Sequence, residues 1–515
     1  LHFWCCPQTV HIAIFGRSAM ALFASALVAA FCFPFVAAGP VTVIVSRHGI
    51  RTPYPPGGDG NLTKESMAKY TTQSFPPCWP PGPGSSDVWG TSVTAGLTPH
   101  GGQQIRNMGT WMGSKNFSTV KCEEVAVYAD TSSARDNETA TNWTLGAFPS
   151  CKSLHEESSI IGDPHDFLFN DGTNQELCSF PWDQEVVKSF LGSDKDNFAA
   201  LLNAWKAQIE KVDQVVHCCS SELCGGQLPC NLSTLPIKFT GKFWAATEGA
   251  FDIAVFWAEF FLLEYLNGNP SFAQGKLSVP DLVDLYRMVV ANMEFLDNSF
   301  SSKRLESTLA AQILGTLLQA HEQKAIEGVG HPKEAKVVYM AGHDTNLLLL
   351  RSLLGIRWQS DGWAENAVAP GAMLIVELEE RSDGPVVSMY FQVARPEQLH
   401  EGTVFSEEQQ PSRVQVPITD CLSDPFACPL DTFRKIVVSK LRPKCIGIPG
   451  LRDLVESHGG NGGNGSVTWP AKYWWTFLLT GLGACLLGIA IQSVPKRACA
   501  RSPSSAGYSS QELAG

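Results

Sequence analysis

Near the start of the chain, a run of aliphatic residues ends abruptly in a motif of arginine, histidine, glycine and proline. Residues 41–45, Val-Thr-Val-Ile-Val, have the composition of a buried strand. Residues 47–53 follow as Arg-His-Gly-Ile-Arg-Thr-Pro, where glycine allows a tight turn and proline stops a helix. Open α/β sheets bind their ligands where strands end. This stretch therefore predicts an α/β fold with a polar site at the end of its first strand.

The motif places one imidazole between two guanidiniums. Arg47 and Arg51 would repel each other without an anion, and their forked donors fit phosphate oxygens. The same positive charges disfavour the imidazolium, so His48 should stay neutral below its usual pKa of about 6.5. A neutral imidazole that faces a bound phosphate is a candidate nucleophile. The alternative is a basic loop with a solvated histidine.

A second motif lies nearly 300 positions further along the chain. Residues 337–346, Val-Val-Tyr-Met-Ala-Gly-His-Asp-Thr-Asn, predict another buried strand, which ends in His343 and Asp344. Together the two motifs resemble those of the histidine acid phosphatases, within the wider histidine phosphatase superfamily. The likeness covers residues 41–448. It includes a Leu-Thr-Pro-His-Gly-Gly segment at 97–102, which is similar to the corresponding segment of bacterial periplasmic acid phosphatases and phytases. A chain of this family with a membrane span, as predicted below for residues 473–494, is similar to lysosomal acid phosphatase.

The resemblance implies a fold and a mechanism. The implied fold is α/β, a mixed central sheet flanked by helices (phosphoglycerate mutase-like) with a mostly helical cap insertion. The implied reaction is hydrolysis of phosphomonoesters through a phosphohistidine, with His48 as the nucleophile. His343 would donate a hydrogen bond to the transferring group, and Asp344 would protonate the leaving alkoxide. Metal ions and cofactors are not required, because arginines would neutralise the phosphoryl oxygens.

Two further residues are assigned by the same resemblance. The family carries a third phosphate-binding arginine after a strand, and Arg135, which follows the predicted strand 125–130, matches it. The alternative for Arg135 is an ion pair with Asp136 or Glu138. Glu259 belongs to a segment that resembles a helix lining the bacterial active site, so it is expected to support the catalytic groups from behind.

The chain between its two hydrophobic ends divides into three parts. Residues 39–150 and 332–457 are predicted as the two parts of the α/β core, and residues 151–331 as the helical cap insertion. Residues 371–378 and 386–393 alternate like paired antiparallel strands. Four stretches of the insertion predict helices: Phe198–Val216, Ala245–Leu266, Ser278–Leu296 and Leu305–Glu322.

The two ends indicate membrane targeting. Residues 1–38 finish in Val-Ala-Ala, which predicts a signal peptide cleaved before Gly39, with an uncleaved anchor as the alternative. Residues 473–494 would span roughly 33 Å as a transmembrane helix, with a removed lipid-anchor signal as the weaker alternative. Gly-rich residues 458–472 would be a flexible tether, and residues 495–515 a cytoplasmic tail. This predicts a type I single-pass membrane protein whose catalytic domain is lumenal or extracellular, in endosomes, in lysosomes or at the cell surface.

Cysteines and glycosylation acceptors agree with an oxidising compartment. Of 16 cysteines, five fall in the predicted signal region, span and tail, so eleven remain, an odd number. The resemblance implies the pairs Cys122–Cys151, Cys178–Cys445 and Cys421–Cys428. It also implies that Cys230 pairs with Cys218 or Cys219, with a zinc site including Cys224 as the rival interpretation. Six Asn-x-Ser/Thr acceptors occur, at Asn61, Asn116, Asn137, Asn142, Asn231 and Asn464.

Charge and motifs together limit the function. A net charge of −12 argues against a nucleic-acid binder, and a homodimer is compatible with the sequence. The leading hypothesis is a membrane-bound acid phosphatase acting on small phosphomonoesters. The second is a phytase or sugar-phosphate phosphatase, although the residues after the first motif, Tyr54-Pro55-Pro56, lack the extra cation that phytate would favour. The third is a catalytically silent surface glycoprotein, but such a chain would be expected to lose His48, Arg51 or Asp344, and all three are present.

Overall fold

The central sheet is mixed, and the strand that precedes the first motif lies in its interior. The computed structural model describes residues 40–54, 67–73, 89–91, 93–130, 132–163, 167–168, 199–226, 230–240, 247–297 and 301–458. The strands are β1 Val41–Arg47, β2 Val125–Ala129, β3 Ile237–Phe239, β4 Thr247–Gly249, β5 Val337–Gly342, β6 Met373–Arg381, β7 Gly384–Val393, β8 Ser412–Val416 and β9 Cys428–Pro429.

The order of strands across the sheet is β2-β5-β1-β6-β7-β8, and the short β9 also pairs with β7. Strands β2, β5 and β1 are parallel, whereas β6, β7, β8 and β9 pair antiparallel. Every residue of β1, β2 and β5 is buried, as expected for strands covered on both faces. The paired strands predicted at 371–378 and 386–393 are β6 and β7, and the mixed α/β sheet implied by the resemblance is confirmed.

Helices occur in both the core and the insertion. In the core they are α1 Pro99–Asn116, α2 Ala134–Ala147, α8 Asp344–Leu354, α9 Pro396–Glu401, α10 Leu430–Lys440 and α11 Pro449–His458. Between β2 and β5 lie α3 Ala199–Ala204, α4 Lys206–Val216, α5 Ala250–Leu266, α6 Val279–Asp297 and α7 Ser301–Glu322, together with the β3–β4 hairpin. The described part of residues 151–331 therefore consists mostly of helices, while the domain boundaries stay a prediction.

Two of the helices predicted in the insertion differ from the structure. The stretch 198–216 is broken at Trp205, whose backbone leaves the helical region with ψ near 12° at the start of α4. The stretch 245–266 begins later, at Ala250, because Thr247–Gly249 pair with β3 as a strand and Gly249 turns with φ 110°. A left-handed φ of this kind favours glycine, so Gly249 ends the strand and lets the helix begin.

Close packing of α1 against α2 fixes the helix that carries Arg135. Gly146 of α2 lies against the carbonyl oxygen of Arg106 in α1, and Gly109 of α1 lies against the carbonyl oxygen of Trp143 in α2. A Cβ atom at either glycine would overlap the facing backbone. Glycine is therefore required where these two helices cross.

The disulfides confirm two implied pairs and correct a third. Cys122–Cys151 and Cys421–Cys428 are bonded, with Cα atoms 5.5 and 5.9 Å apart. Cys445 is disulfide-bonded, and its implied partner Cys178 lies outside the described residues. The implied pairing of Cys230 is wrong. After α4 the chain turns at residues 221–226 and brings Cys224 to a Cα distance of 6.0 Å from Cys230, while Cys218 and Cys219 bond to each other.

The predicted membrane segments cannot be placed by the structure. The signal region 1–38 and the span 473–494 lie outside the described residues, as do the tether from residue 459 onward and the tail. Within the described ranges, each helix is too short or too polar to cross a bilayer. The membrane topology therefore stays a prediction.

Candidate active site

Three neighbouring parallel strands end at one edge of the sheet and deliver the two motifs to the same place. Arg47 at the end of β1 pairs with Gly342 at the end of β5, so His48 and His343 directly follow a matched pair of positions. The last residue of β2, Ala129, pairs with Ala341, so Asp130 lies at the same edge. The rings of His48 and His343 lie 5.7 Å apart between centroids. Parallel pairing thus joins motifs that are distant in sequence.

His48 is buried, and its neighbours define which ring nitrogen carries the lone pair. Its Nδ1 lies 2.9 Å from the carbonyl oxygen of Gly49, which can only accept, so Nδ1–H donates and Nε2 is unprotonated. Burial lowers the pKa of His48 well below its ordinary value, and the charges of Arg135, Arg47 and Arg51 lower it further. The neutral imidazole expected from the sequence is therefore supported by the surroundings of His48.

Arg47 is fully enclosed and pairs with carboxylates inside the site. Its Nη1 donates to the carbonyl oxygen of Val368 at 2.5 Å and to the hydroxyl of Tyr286 at 3.2 Å. Its Nη2 lies 2.9 Å from Asp344 Oδ2 and 3.4 Å from Glu259 Oε1. No sequence pattern pointed to Tyr286 or Val368, because both reach Arg47 through tertiary packing of α6 and of the segment before β6.

Glu259 contacts the guanidiniums directly. Its Oε1 accepts from Arg51 Nη2 at 3.0 Å as well as from Arg47. Arg51 also donates from Nη1 to the carbonyl oxygen of Thr52 at 3.0 Å. The prediction that Glu259 supports the site from behind understates its position, since this one carboxylate oxygen bridges both arginines of the first motif.

Asp344 is the first residue of α8, and its carboxyl group faces Arg47. Burial acts to raise the pKa of Asp344, but the guanidiniums of Arg47 and Arg51 outweigh burial and hold that pKa below its ordinary value. The preceding residue, His343, caps the helix, because its backbone N–H donates to Asn346 Oδ1 at 2.9 Å. Asn346 in turn donates to the buried Glu306 at 3.0 Å. This network holds the second motif rigidly at the sheet edge.

Arg135, the second residue of α2, reaches the site beside His343 and Tyr54. Its Nη1 donates to the hydroxyl of Tyr54 at 2.6 Å, and its Nη2 lies 3.2 Å from His343 Nδ1. The ring of Tyr54 lies 4.5 Å from the guanidinium carbon of Arg51 and 5.5 Å from that of Arg135. The Nε of Arg135 is 3.7 Å from Asp136. The guanidinium therefore faces the site and also forms the ion pair with Asp136 that the alternative interpretation predicted.

Two buried carboxylates missed by the sequence analysis surround the other nitrogen of His343. The Nε2 atom lies 3.1 Å from Asp130 Oδ2 and 3.6 Å from Asp136 Oδ2. Burial raises the pKa of Asp136. It acts in the same direction on Asp130, whose pKa is nevertheless lowered by hydrogen bonds from His343 and Ser132. The one available signal was the position of Asp130 as the last residue of the predicted strand 125–130.

Donor groups at this point could also suit a metal ion. Asp130, Asp136 and His343 offer atoms within 4.8 Å of one another, a ligand set of the kind that binds divalent metals. However, the Arg135 guanidinium already places positive charge beside two of these groups. The hydrogen-bonding geometry fits a proton on Nε2 of His343, which Asp130 accepts, while Nδ1 accepts from Arg135. In this arrangement neither ring nitrogen is left to donate to a phosphoryl group, in contrast to the role that the resemblance implies for His343.

A cavity of about 280 Å³ opens beside Arg135 and His343. Its walls include the aromatic ring of Tyr54, the hydroxyls of Ser132 and Ser133 and the side chain of Val93. Among the lining residues within the described part of the chain, Arg135 is the single lysine or arginine. The cavity therefore offers space, hydroxyl groups and an aromatic surface next to the guanidiniums, with little additional positive charge.

Comparison with protein families gives one match over most of the chain. The model of the histidine phosphatase superfamily (branch 2) matches residues 41–393. This range contains His48, Arg135, Glu259 and the pair His343–Asp344.

Individual relatives agree with that match. The chain is 26% identical to phytase AppA of Escherichia coli (strain K12) over 429 residues, which cover 78% of this chain and 92% of the relative. It is 23% identical to a glucose-1-phosphatase of Providencia rettgeri over 414 residues, 78% of this chain and 91% of that enzyme. Among solved structures, the Hafnia alvei phytase in complex with tartrate has the same fold, with a TM-score of 0.65 and 24% identity over 79% of this chain and 99% of that one.

Proposed function

This chain belongs to branch 2 of the histidine phosphatase superfamily and is a phosphatase, and we propose that it hydrolyses phosphomonoesters through a phosphohistidine formed on His48. The observation that carries the proposal is the unprotonated Nε2 of a buried His48 among Arg47, Arg51 and Arg135. A neutral nitrogen nucleophile and three guanidiniums together match the needs of phosphoryl transfer, which depends on positioning and on neutralising the phosphoryl oxygens.

In the first half-reaction Nε2 of His48 attacks phosphorus, and the bond from phosphorus to the ester oxygen breaks. Asp344 gives its proton to that oxygen, and the alcohol leaves. In the second half-reaction water attacks the phosphohistidine, Asp344 takes the proton from water, and the nitrogen–phosphorus bond breaks. Phosphate and neutral His48 are thereby regenerated, with no net change in the enzyme.

For Asp344 to act as the acid, it must gain a proton after substrate binds. The carboxylate of Asp344 is paired with Arg47 at 2.9 Å, so a phosphate that takes over this guanidinium also removes the charge that holds the pKa of Asp344 down. The negative phosphate then raises that pKa. Because a neutral His48 and a protonated Asp344 are needed together, we propose that the enzyme is an acid phosphatase with maximal turnover at about pH 4–6.

The test of this assignment compares two kinds of ester. Asp344→Asn should lose much more rate on alkyl phosphates than on nitrophenyl phosphate, because a nitrophenolate leaves without protonation. The measurement is kcat for both esters across pH 4–9, with wild-type protein in detergent as the reference. Equal losses on the two esters, or an optimum above pH 8, would contradict the role of Asp344.

The substrate class follows from the cavity and from the relatives. The named relatives include a phytase and a glucose-1-phosphatase, so a phytase or a sugar-phosphate phosphatase is the second candidate. The cavity beside Arg135 has a single lysine or arginine among its described lining residues. This favours leaving groups that carry hydroxyls or an aromatic ring over the remaining five phosphates of phytate.

Turnover of glucose-1-phosphate, nitrophenyl phosphate and phytate by the same preparation separates the hypotheses. We expect kcat/KM for phytate to be the lowest of the three. A phytate value above the other two would establish the phytase alternative. Failure to hydrolyse any of them would favour the silent surface glycoprotein.

We also propose a type I membrane protein with its catalytic domain in the lumen or outside the cell. The disulfides Cys122–Cys151 and Cys421–Cys428 support an oxidising compartment, and the apolar residues 473–494 support a span. Deleting residues from Thr468 onward should release an active enzyme into the medium. Retention of the truncated protein in membranes would show that another anchor exists.

A further inference from the structure

Arg135 is the phosphate-binding arginine whose guanidinium is held by an imidazole. Its Nη2 lies 3.2 Å from Nδ1 of His343. Guanidinium nitrogens only donate hydrogen bonds, so Nδ1 must be the acceptor. On the other side of the ring, the carboxylate of Asp130 only accepts, so Nε2, at 3.1 Å, must carry the hydrogen. Both neighbours therefore require the same tautomer of His343.

We propose that Asp130, with Asp136, is a positioning residue that acts through His343 to aim Arg135 at the phosphoryl group. This inference rests on the proposed function, because it assigns Arg135 the role of binding the phosphate. Asp136 contacts both of these partners, since its Oδ2 lies 3.6 Å from Nε2 of His343 and 3.7 Å from Nε of Arg135. Asp136 is fully buried, and Asp130 is almost fully buried although it borders the cavity, so both carboxylates can keep their partners while phosphate is bound.

Burial makes this arrangement rigid. Asp130 is 1% exposed, Asp136 0% and His343 5%, and each side chain belongs to an element fixed by packing: the end of β2, the start of α2 and the cap of α8. His343 is held additionally through its backbone N–H by Asn346. The imidazole of His343 is thus fixed in place and can orient Arg135 without moving. This is the property expected of a residue that preorganises a site before substrate binds.

The hydrogen bonds of Asp130 make one substitution especially informative. Its Oδ1 accepts from the backbone N–H of Ser132 at 2.9 Å and from the Ser132 hydroxyl at 2.5 Å. In Asp130→Asn the amide oxygen must stay at that position, because an amide nitrogen cannot accept from a backbone N–H. The amide NH₂ then faces Nε2 of His343 and makes it an acceptor. The ring hydrogen moves to Nδ1, where it opposes the N–H of Arg135.

Simple electrostatics predicts the opposite result for the same variant. Removing a carboxylate near an anion site should strengthen the binding of phosphate or vanadate, since a negative charge is lost. If Asp130 positions Arg135, Asp130→Asn should instead weaken vanadate binding and lower kcat/KM about tenfold or more, by analogy with other carboxylates that fix the tautomer of an active-site histidine. The sign of the change in anion affinity therefore distinguishes a positioning role from a charge effect.

The experiment is a double-mutant cycle in the full chain with Asp130→Asn and Arg135→Ala, scored by kcat/KM on nitrophenyl phosphate and by calorimetric binding of inorganic phosphate. We expect Asp130→Asn to cost tenfold or more in the wild-type background and less than about twofold in the Arg135→Ala background. Glu264→Gln, which alters a buried carboxylate on α5 that accepts from the backbone N–H of Ala273, is the matched control and should change neither quantity.

Equal losses in both backgrounds, or tighter phosphate binding by Asp130→Asn, would overturn the proposal. If Asp130→Asn fails to fold, as judged by its thermal melt, Asp136→Asn replaces it in the same cycle with the same expected pattern. If wild type binds phosphate but hydrolyses no ester, the proposed function fails while the binding cycle still decides whether Asp130 acts through Arg135.

Discussion

The two sides of the candidate active site hold their arginines in different ways. Arg47 and Arg51 are paired with Glu259 and, for Arg47, with Asp344, whose carboxylates lie within the site itself. Arg135 is held instead by His343, by Asp136 and by the hydroxyl of Tyr54. One side therefore has counter-ions that a phosphate must replace, and the other has partners that can remain in place.

This difference assigns separate tasks to the two sides. Where a carboxylate occupies the guanidiniums, anion binding must compete with an internal ion pair, and Asp344 becomes free to take a proton only when that pair breaks. Where the guanidinium is held by partners that can remain in place, the site is already prepared for the transition state. We infer that the Arg47–Arg51 side couples phosphate binding to proton transfer, whereas the Arg135 side contributes fixed electrostatic stabilisation.

The largest effect should come from His48, on which the charges of all three arginines act. His48→Ala removes the nucleophile and should abolish turnover, while all three guanidiniums remain and continue to bind vanadate. The measurements are turnover of nitrophenyl phosphate and the vanadate dissociation constant of the same variant. Acid quenching of the wild type with labelled substrate should additionally trap phosphate on the protein. Undiminished hydrolysis by pure His48→Ala would remove the basis of the covalent mechanism.

Removing one arginine from each side should give large but unequal losses. Arg135→Ala should lower kcat/KM by about 10²–10³-fold, the loss seen when one charge-stabilising donor is deleted. Arg51→Ala should lose more, because among the described residues it also leaves Glu259 with Arg47 alone as a counter-ion. Steady-state kinetics on one ester tests both. Wild-type behaviour of Arg135→Ala would mean that its ion pair with Asp136 is purely structural.

Neutralising the internal anion tests the comparison most directly. Glu259→Gln should tighten vanadate binding by about fivefold, since the oxyanion no longer competes with a carboxylate for Arg47 and Arg51. Neutralising Asp136 on the other side should weaken that binding instead. Glu264→Gln, five positions along the same helix and outside the site, is the control for Glu259→Gln. Weaker vanadate binding by Glu259→Gln would show that Glu259 positions the arginines rather than competing with phosphate.

The same comparison explains how much the sequence could predict. The Arg47–Arg51 motif and the pair His343–Asp344 lie at the ends of buried strands that can be recognised by their apolar composition. Short motifs therefore place these side chains at strand ends. The supports of Arg135 depend on contacts between β2, α2 and β5, which no local pattern encodes. Asp136 looked like a simple neighbour of Arg135, yet its carboxylate also lies 3.6 Å from His343. Likewise, the spacing of Cys218 to Cys230 allowed several pairings, and only the turn after α4 selects one.

The smallest effect should come from removing the hydroxyl of Tyr54, because this side chain contacts Arg51 through its ring and Arg135 through its hydroxyl. The ring lies 4.5 Å from the guanidinium carbon of Arg51, while the hydroxyl accepts from Arg135 at 2.6 Å. Tyr54→Phe keeps the ring against Arg51 and removes only the acceptor for Arg135. Because His343 and Asp136 still hold Arg135, we expect kcat/KM to fall only about twofold to threefold, the lower end of the range for one hydrogen bond. Tyr54→Leu, which also removes the aromatic face, should lose a further few-fold in kcat/KM through weaker contact with Arg51.

Steady-state kinetics of both variants on nitrophenyl phosphate tests this prediction. A loss in Tyr54→Phe as large as that of Arg135→Ala would mean that Tyr54, and not His343, is the main support of this guanidinium. Tyr54 would then hold both Arg51 and Arg135.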